Sequence, residues 1–188
     1  MIRYRKELIE AIKRSEQKSI DISDFYIESN SKPYLSFDKK KELFKLFDSK
    51  VYCNPIEQVA GKCLDWNVKL QDQISSILSC DALLTFGYIE IHESKIFYTP
   101  LEEMDKWFAP NTIMKPLNEI HAWITLPSLE VIDITVIASI KHINNENFQN
   151  VPNYKHCIVC DPEDPGNTII YKPLFVGIDF LFKTKMAV

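Results

Sequence analysis

Glycine is scarce in this sequence of 188 residues, with only four glycines beside ten prolines. The Gly-rich phosphate-binding patterns GxGxxG and GxxxxGK[ST] do not occur, which argues against a nucleotide-binding loop. An excess of positive charge is also lacking, since 22 basic residues stand against 26 acidic ones and the net charge is −4. The composition therefore predicts no cofactor and no nucleic-acid partner.

Long apolar runs are missing as well. The amino terminus, MIRYRKELIEAIKRSEQK, contains neither a signal-peptide pattern nor a membrane span, so we expect no membrane partner. Five cysteines are an odd number for a disulfide framework, and without a secretory signal they predict reduced thiols in the cytoplasm. Export as an effector without a cleavable signal peptide, acting on a host or partner protein, stays open.

Amphipathic helical patterns fill the first half of the chain. The hydrophobic fraction of 46% and the length predict a single globular domain over 1–188. Helices are expected over 2–17, over 39–50 with Ser36 or Asp38 as the cap, and over 61–78. The face predicted for the third helix carries Cys63, Trp66, Leu70, Ile74 and Ile77. Strand patterns follow, and helices before strands favour an α+β fold with an antiparallel sheet.

An irregular, proline-containing segment over 95–118 reads as an insertion. One interpretation is a lid over a cleft, with Tyr98, Trp107 and Phe108 contacting substrate. The other is a surface excursion with a short helix over LEEMDKW, capped by Thr99, in which Trp107 packs on the sheet. Further on, the apolar run Leu174–Phe182 predicts a final strand.

The stretch HAWITLPSLEVIDIT, residues 121–135, places a histidine and an aspartate in two otherwise apolar strands. A two-residue turn would put His121 and Asp133 on opposite faces of the strand pair. A three-residue loop pairs Ile124 with Ile132 instead, which builds one wholly apolar face. His121, Trp123 and Asp133 then share the other face, so the hydrophobic pattern predicts that His121 and Asp133 meet.

A carboxylate beside an imidazole orients a general base, and such a base serves a nucleophile. Cys63 is the best placed candidate, because it begins the strongest predicted helix, where the helix dipole favours a thiolate. Its backbone N–H could donate to an oxyanion, and Gln58 is a candidate side-chain donor for the same site.

GKC at 61–63, HAW at 121–123 and DIT at 133–135 together resemble the Cys–His–Asp core of the transglutaminase-like superfamily, in the same chain order. The resemblance covers about residues 58–136. It implies a papain-like fold, with the nucleophile helix packed on an antiparallel sheet, and acyl transfer through a thioester at a Cys63–His121–Asp133 triad. GKCLDWN is also similar to the G-x-C-x-E-x-N pattern of arylamine N-acetyltransferases, which would imply acetyl transfer instead.

The sequence contains three tryptophans between Cys63 and Asp133. Trp66, Trp107 and Trp123 are candidates for contacting substrate, and the alternative interpretation of each is a packing residue. Trp123 could also shield the bond between His121 and Asp133 from water.

HCIVCD at 156–161 is one CxxC with a neighbouring histidine and aspartate. A structural zinc site needs a second pair of ligands at a matching distance, and Cys53, Cys80, His92 and His142 do not form one. We therefore expect no metal site there, and two ordinary strand cysteines.

Two functions remain after this reading. The first is a cysteine hydrolase, deamidase or protease acting on a protein or peptide, with water or an amine as the acyl acceptor. The second is a non-catalytic binding or assembly protein, in which Cys63 is a buried core residue. Its partner surface would be the aromatic residues of 95–118 or the strand Leu174–Phe182.

Overall fold

The amphipathic patterns at the start of the chain form helices. The structure is a computed structural model that describes residues 3–22, 25–28, 32–109, 120–142 and 157–186. Helix α1 spans Arg3–Gln17, and α2 spans Phe37–Lys50. The hydroxyl of Ser36 accepts a hydrogen bond from the Lys39 N–H, so Ser36, one of the two predicted caps, is the N-cap of α2.

Helix α3, Cys63–Leu78, buries a slightly different face from the predicted one. Asn67 takes the buried position expected for Trp66, and Leu78 takes the position expected for Ile77. The side chains of Trp66 and Ile77 are only half buried at the edge of this face. The prediction failed because hydrophobicity ranks tryptophan above asparagine, whereas hydrogen bonds decide the position of Asn67.

The predicted insertion contains regular structure. Strand β2 spans Ser94–Ile96, and helix α4 spans Leu101–Trp107. The helix is therefore present where the second interpretation placed it, but Pro100 rather than the predicted Thr99 occupies its N-cap position. Residues 110–118 of this segment lie outside the described residues.

Strand β1, Leu83–Ile91, is the centre of the sheet and pairs antiparallel with three strands. Strand β6, Ile170–Val176, lies along one of its edges. The other edge is shared, because β3, His121–Thr125, pairs with the first part of β1 and β2 with its last part. The end of β2 therefore lies beside the beginning of β3, where His121 stands.

Strand β4, Val131–Asp133, pairs antiparallel with β3, and β5, Ile158–Cys160, pairs with β4. Ile124 lies opposite Ile132, which confirms the register predicted from the three-residue loop. The second strand is shorter than expected, because it ends at Asp133 and helix α5 begins at Val136.

The end of the chain also differs from expectation. The run Leu174–Phe182 was predicted as one strand, but it divides between β6 and a short helix α6, Asp179–Lys183. Gly177, with φ of +90°, stands between them. Only glycine adopts this backbone conformation readily, so the strand cannot continue through this point.

Two layers of helices cover β3. Trp123 packs in a cluster with Tyr4 and Leu8 of α1, whereas Ile124 packs with Leu70 of α3. Alternate side chains of a strand point to opposite faces, so α1 and α3 lie on opposite sides of this strand. The fold is α+β with an antiparallel sheet, and both faces of β3 are buried rather than one.

Candidate active site

His121 and Asp133 form a buried pair at the adjoining ends of β3 and β4. Nε2 of His121 lies 2.6 Å from Oδ2 of Asp133, and the two side chains are 1% and 0% exposed. The predicted meeting of these residues is therefore confirmed. The hydrophobic pattern predicts this meeting correctly because both faces of the strand pair are packed, so that a slip of one residue would exchange the side chains of the two faces.

The Asp133 carboxylate accepts from four donors, which fixes its orientation. Oδ2 accepts from His121 and from the hydroxyl of Tyr171, 3.1 Å away. Oδ1 accepts from the backbone N–H groups of Thr135 and Val136, at 3.2 and 3.0 Å. The second pair of bonds lies at the start of α5, so one side chain both begins that helix and orients the imidazole.

The imidazole of His121 is held in its protonated form. Complete burial lowers its pKa, but the Asp133 carboxylate outweighs burial through its charge and its hydrogen bond, and the Cys63 thiol adds to the effect in the same two ways. The net result raises the pKa of His121 from 6.5 to about 10. Phe97 stacks on the ring, with centroids 5.1 Å apart and planes inclined by 22°, which holds the imidazole from one side.

Cys63 approaches His121 from the beginning of α3. Its Sγ lies 4.0 Å from the carbonyl oxygen of Ile120, the residue immediately before β3. Although α3 packs on the other face of β3, the two layers approach each other at this end of the strand, and the thiol lies near enough to His121 to help raise the pKa of the imidazole. Because Asp133 occupies Nε2, Nδ1 is the ring nitrogen left to exchange a proton with the thiol.

The segment before Cys63 is tied down at two points. The N–H of Gly61 donates to the hydroxyl of Ser139 in α5 at 2.9 Å, and the Trp66 indole donates to the carbonyl of Gln58 at 3.0 Å. Gly61 has φ of +69°, so the turn into α3 needs a residue that tolerates this conformation. No side chain caps α3 at Lys62, so the N–H groups of its first turn lack the usual side-chain acceptor.

The candidate substrate residues lie in different surroundings. Gln58 is exposed and Trp66 is half buried, with the Lys69 ammonium 5.2 Å from the indole ring centroid. Trp107 is 8% exposed and packs in the apolar cluster that contains Cys63. The structure therefore places Trp107 in the same apolar cluster as the nucleophile and leaves the Gln58 side chain at the surface.

Trp123 is fully buried beside the pair, with its ring 6.0 Å from the His121 ring. Its indole N–H donates to the hydroxyl of Tyr4, which in turn lies 2.7 Å from the hydroxyl of Thr125. This network satisfies the polar groups of that face and anchors α1 to β3.

Three residues of the site were missed by the sequence reasoning. Asn67 donates to the carbonyls of Cys63 and Ala122, Tyr171 donates to Asp133, and Phe97 stacks on His121. An asparagine at an otherwise buried helical position was the available signal for Asn67. Tyr171 and Phe97 gave no local signal, because their roles depend on sheet pairing over long sequence distances.

In this conformation the three candidate catalytic side chains are enclosed. Cys63 is 6% exposed, and its apolar cluster includes Met104 of α4 and Phe180 of α6. A cavity of about 490 Å³ lies elsewhere, between the carboxyl-terminal part of α3, the start of β1 and the segment around Gly177. Access of a substrate to Cys63 therefore requires a movement of the residues that enclose it.

The two cysteines of HCIVCD are ordinary buried or half-buried thiols, and His156 lies outside the described residues. Burial raises the pKa of Cys157 to about 11 and that of Cys160 to about 12, which disfavours the thiolates that bind metals. Among the residues that the structure describes, no group of three or more His, Cys, Asp and Glu could hold a metal ion.

No helix within the described ranges is long and apolar enough to cross a bilayer. Comparison of the chain with protein-family models, with curated proteins and with solved structures gives no match.

Proposed function

We propose that this protein transfers acyl groups from amides through a thioester on Cys63, with His121 as the proton carrier and Asp133 as its orienting carboxylate. The observation that carries the proposal is the buried bond of 2.6 Å between His121 and Asp133, on an imidazole whose pKa the nearby Cys63 thiol also raises. A buried charged pair costs desolvation energy, and a hydrophobic pair of similar volume often stabilises a core better. The pair therefore argues for chemistry rather than for packing.

The reaction would begin with the thiolate of Cys63 and the imidazolium of His121. Sγ attacks the carbonyl carbon of an amide, a C–S bond forms, and the carbonyl electron pair moves onto oxygen. The tetrahedral intermediate collapses, His121 donates its proton to the amide nitrogen, and the C–N bond breaks to release the amine. Water or an amine then attacks the thioester, His121 takes its proton, and the C–S bond breaks to restore the thiolate.

The oxyanion formed in both steps would be stabilised by N–H donors. The backbone N–H of Cys63 stands at the uncapped start of α3, where the helix dipole also favours negative charge. Gln58 is the proposed side-chain donor, since the bond from Trp66 to its carbonyl holds the segment close to the helix start.

The arrangement supports a papain-like, transglutaminase-like core, and we propose a cysteine hydrolase or deamidase of the cytoplasm. The chain order is Cys, His, Asp, and the Cys helix packs on an antiparallel sheet that carries the other two residues. A protein or peptide is the proposed substrate, and either water or an amine accepts the acyl group in the proposed reaction.

The test is to trap the acyl-enzyme. The protein is mixed with a set of glutamine-containing peptides, quenched in acid, and its mass is measured together with any release of ammonia. An adduct on Cys63 is expected in the unaltered chain and in Cys53→Ser, which replaces an exposed cysteine, and no adduct is expected in Cys63→Ser. If the unaltered chain forms neither adduct nor product, the proposal is wrong.

A binding or assembly protein is the second candidate, and the burial of Cys63 in an apolar cluster favours it. Tyr98 in the insertion and Phe182 in α6 are 38% and 62% exposed and would contact a partner. In that case the His121–Asp133 pair would serve only to stabilise the fold, and Cys63→Ser would affect packing and leave partner binding unchanged.

A further inference from the structure

Asn67 links the two elements that carry Cys63 and His121. It lies one turn after Cys63 in α3, and its side chain is completely buried. Nδ2 donates to the carbonyl of Cys63 at 2.7 Å and to the carbonyl of Ala122 at 2.9 Å. An amide nitrogen carries two hydrogens, so both bonds form at once.

The two acceptors are the backbone of the nucleophile and the backbone next to the imidazole. One side-chain nitrogen therefore spans the first turn of α3 and the first residues of β3. The Asn67 amide therefore ties the backbone of Cys63 to the backbone next to His121.

Stability alone does not explain this residue. Oδ1 of Asn67 is buried and has no hydrogen-bond partner among the residues that the structure describes, which costs free energy. A leucine, whose side chain branches at the same carbon, would have no such oxygen and would match the apolar residues that flank Asn67 on this face, Leu70 and Ile74. An asparagine that carries this cost is better explained by what its nitrogen holds in place.

We propose that Asn67 is a positioning residue that fixes the start of α3, which carries the Cys63 thiol, against the start of β3, which carries the His121 imidazole. The inference rests on the proposed function only for the purpose of this placement, which is proton exchange between the two groups. The placement has a separate readout, because the thiol is one of the causes that raise the pKa of His121.

The experiment compares the full chain with Asn67→Leu, which removes both bonds, and with Asn67→Ser, which retains one hydroxyl donor and less bulk. NMR titration of the His121 ring, assigned with His121→Gln, gives its midpoint, and alkylation of Cys63 by iodoacetamide is followed as a function of pH. Removing the bridge is expected to lower the His121 midpoint, with Asn67→Ser between the other two proteins. The alkylation rate at pH near 6 should fall by about tenfold or more, since misplacing a reacting group by about 1 Å can cost about 100-fold.

Leu70→Ala is the matched control. Leu70 lies on the same buried face of α3 and packs in the core, and its side chain has no hydrogen-bond donor, so its loss destabilises the helix without removing the bridge. The inference is overturned if Leu70→Ala moves the His121 midpoint as far as Asn67→Leu does, or if folded Asn67 variants leave it unchanged. A midpoint that moves only in the Asn67 variants, with Cys63 no more reactive than Cys53 in the unaltered chain, supports the positioning role and contradicts the proposed thiol chemistry.

Discussion

The hydroxyl of Tyr171 donates to Oδ2 of Asp133, 3.1 Å away, and His121 donates to the same oxygen. Tyr171 belongs to β6 and Asp133 to β4, two strands separated in the sheet by β1 and β3. The hydroxyl of Tyr171 and the imidazolium of His121 therefore compete for the negative charge of one carboxylate oxygen. Removal of the hydroxyl should strengthen the interaction between Asp133 and His121.

Tyr171→Phe is expected to raise the pKa of His121 further, because the carboxylate loses a competing donor. The lost bond should also lower the free energy of unfolding by about 1 kcal/mol. NMR titration of the ring protons measures the first effect, and denaturant unfolding measures the second. Tyr52→Phe is the matched control, since Tyr52 donates to the carbonyl of Ile134 beside the pair. An unchanged or lowered midpoint in Tyr171→Phe would contradict the shared-oxygen geometry.

The pair also makes stability depend on pH. The pKa of His121 is raised in the folded protein to about 10, so the contribution of the pair to the free energy of unfolding is fully present below the unfolded pKa near 6.5. This contribution is lost as the pH rises from 6.5 through about 10. Asp133→Asn removes the charge that holds the imidazolium and is expected to flatten this part of the stability profile.

Thermal unfolding at intervals between pH 6 and pH 10 measures this effect, with Asp48→Asn, at an exposed site in α2, as the control. The difference in stability between Asp133→Asn and the unaltered chain should be largest at pH 6 and should shrink toward pH 10. A difference that grows with pH would mean that His121 is neutral in the folded protein.

Gly87 is required by close packing beside His121. It pairs with His121 in β3, and a Cβ at this position would lie 2.0 Å from the Lys172 carbonyl oxygen and 3.0 Å from Cη2 of Trp123. Gly87→Ala is expected to destabilise the protein by about 3 kcal/mol or more, because backbone cannot move aside cheaply. At the exposed Gly166, the nearest atom is a side-chain oxygen 3.2 Å away, so Gly166→Ala should cost much less. Equal melting temperatures for the two variants would refute the predicted clash.

The enclosure of Cys63 predicts selectivity for small reagents. Its side chain is 6% exposed, whereas Cys53 is at the surface. Iodoacetamide should label Cys63, and a maleimide attached to a bulky dye should label it far more slowly, while Cys53 should react with both. Mass spectrometry of the separated peptides measures the ratio. Equal labelling of Cys63 by both reagents would mean that the site is open in solution.

The part of this site that could be predicted from sequence is the part governed by local pattern. The register of β3 on β4 follows from where Ile124 and Ile132 must be buried, and that register brings His121 to Asp133. The start of α3 at Cys63 likewise lies within the segment predicted to be helical.

Long-range pairing decided the rest. Tyr171 reaches Asp133 because β6 lies along β1, and Phe97 reaches His121 because β2 and β3 share an edge of β1. Neither strand pairing can be predicted from the residues that neighbour Tyr171 or Phe97 in the sequence. Asn67 is intermediate, because its burial could be suspected from helical spacing, but its two acceptors are visible only once α3 is placed against β3.

Activation of the Cys63 thiol by His121 can be measured by alkylation of the native protein with iodoacetamide at pH near 6. Each of the five cysteines is read separately by mass spectrometry, in the unaltered chain and in His121→Ala. Thiols with ordinary pKa values are almost entirely protonated at this pH and react slowly. We expect Cys63 to label fastest, and we expect His121→Ala to slow the labelling of Cys63 alone. If Cys63 is inert in the unaltered chain, or labels equally fast without His121, the triad is not a catalytic unit.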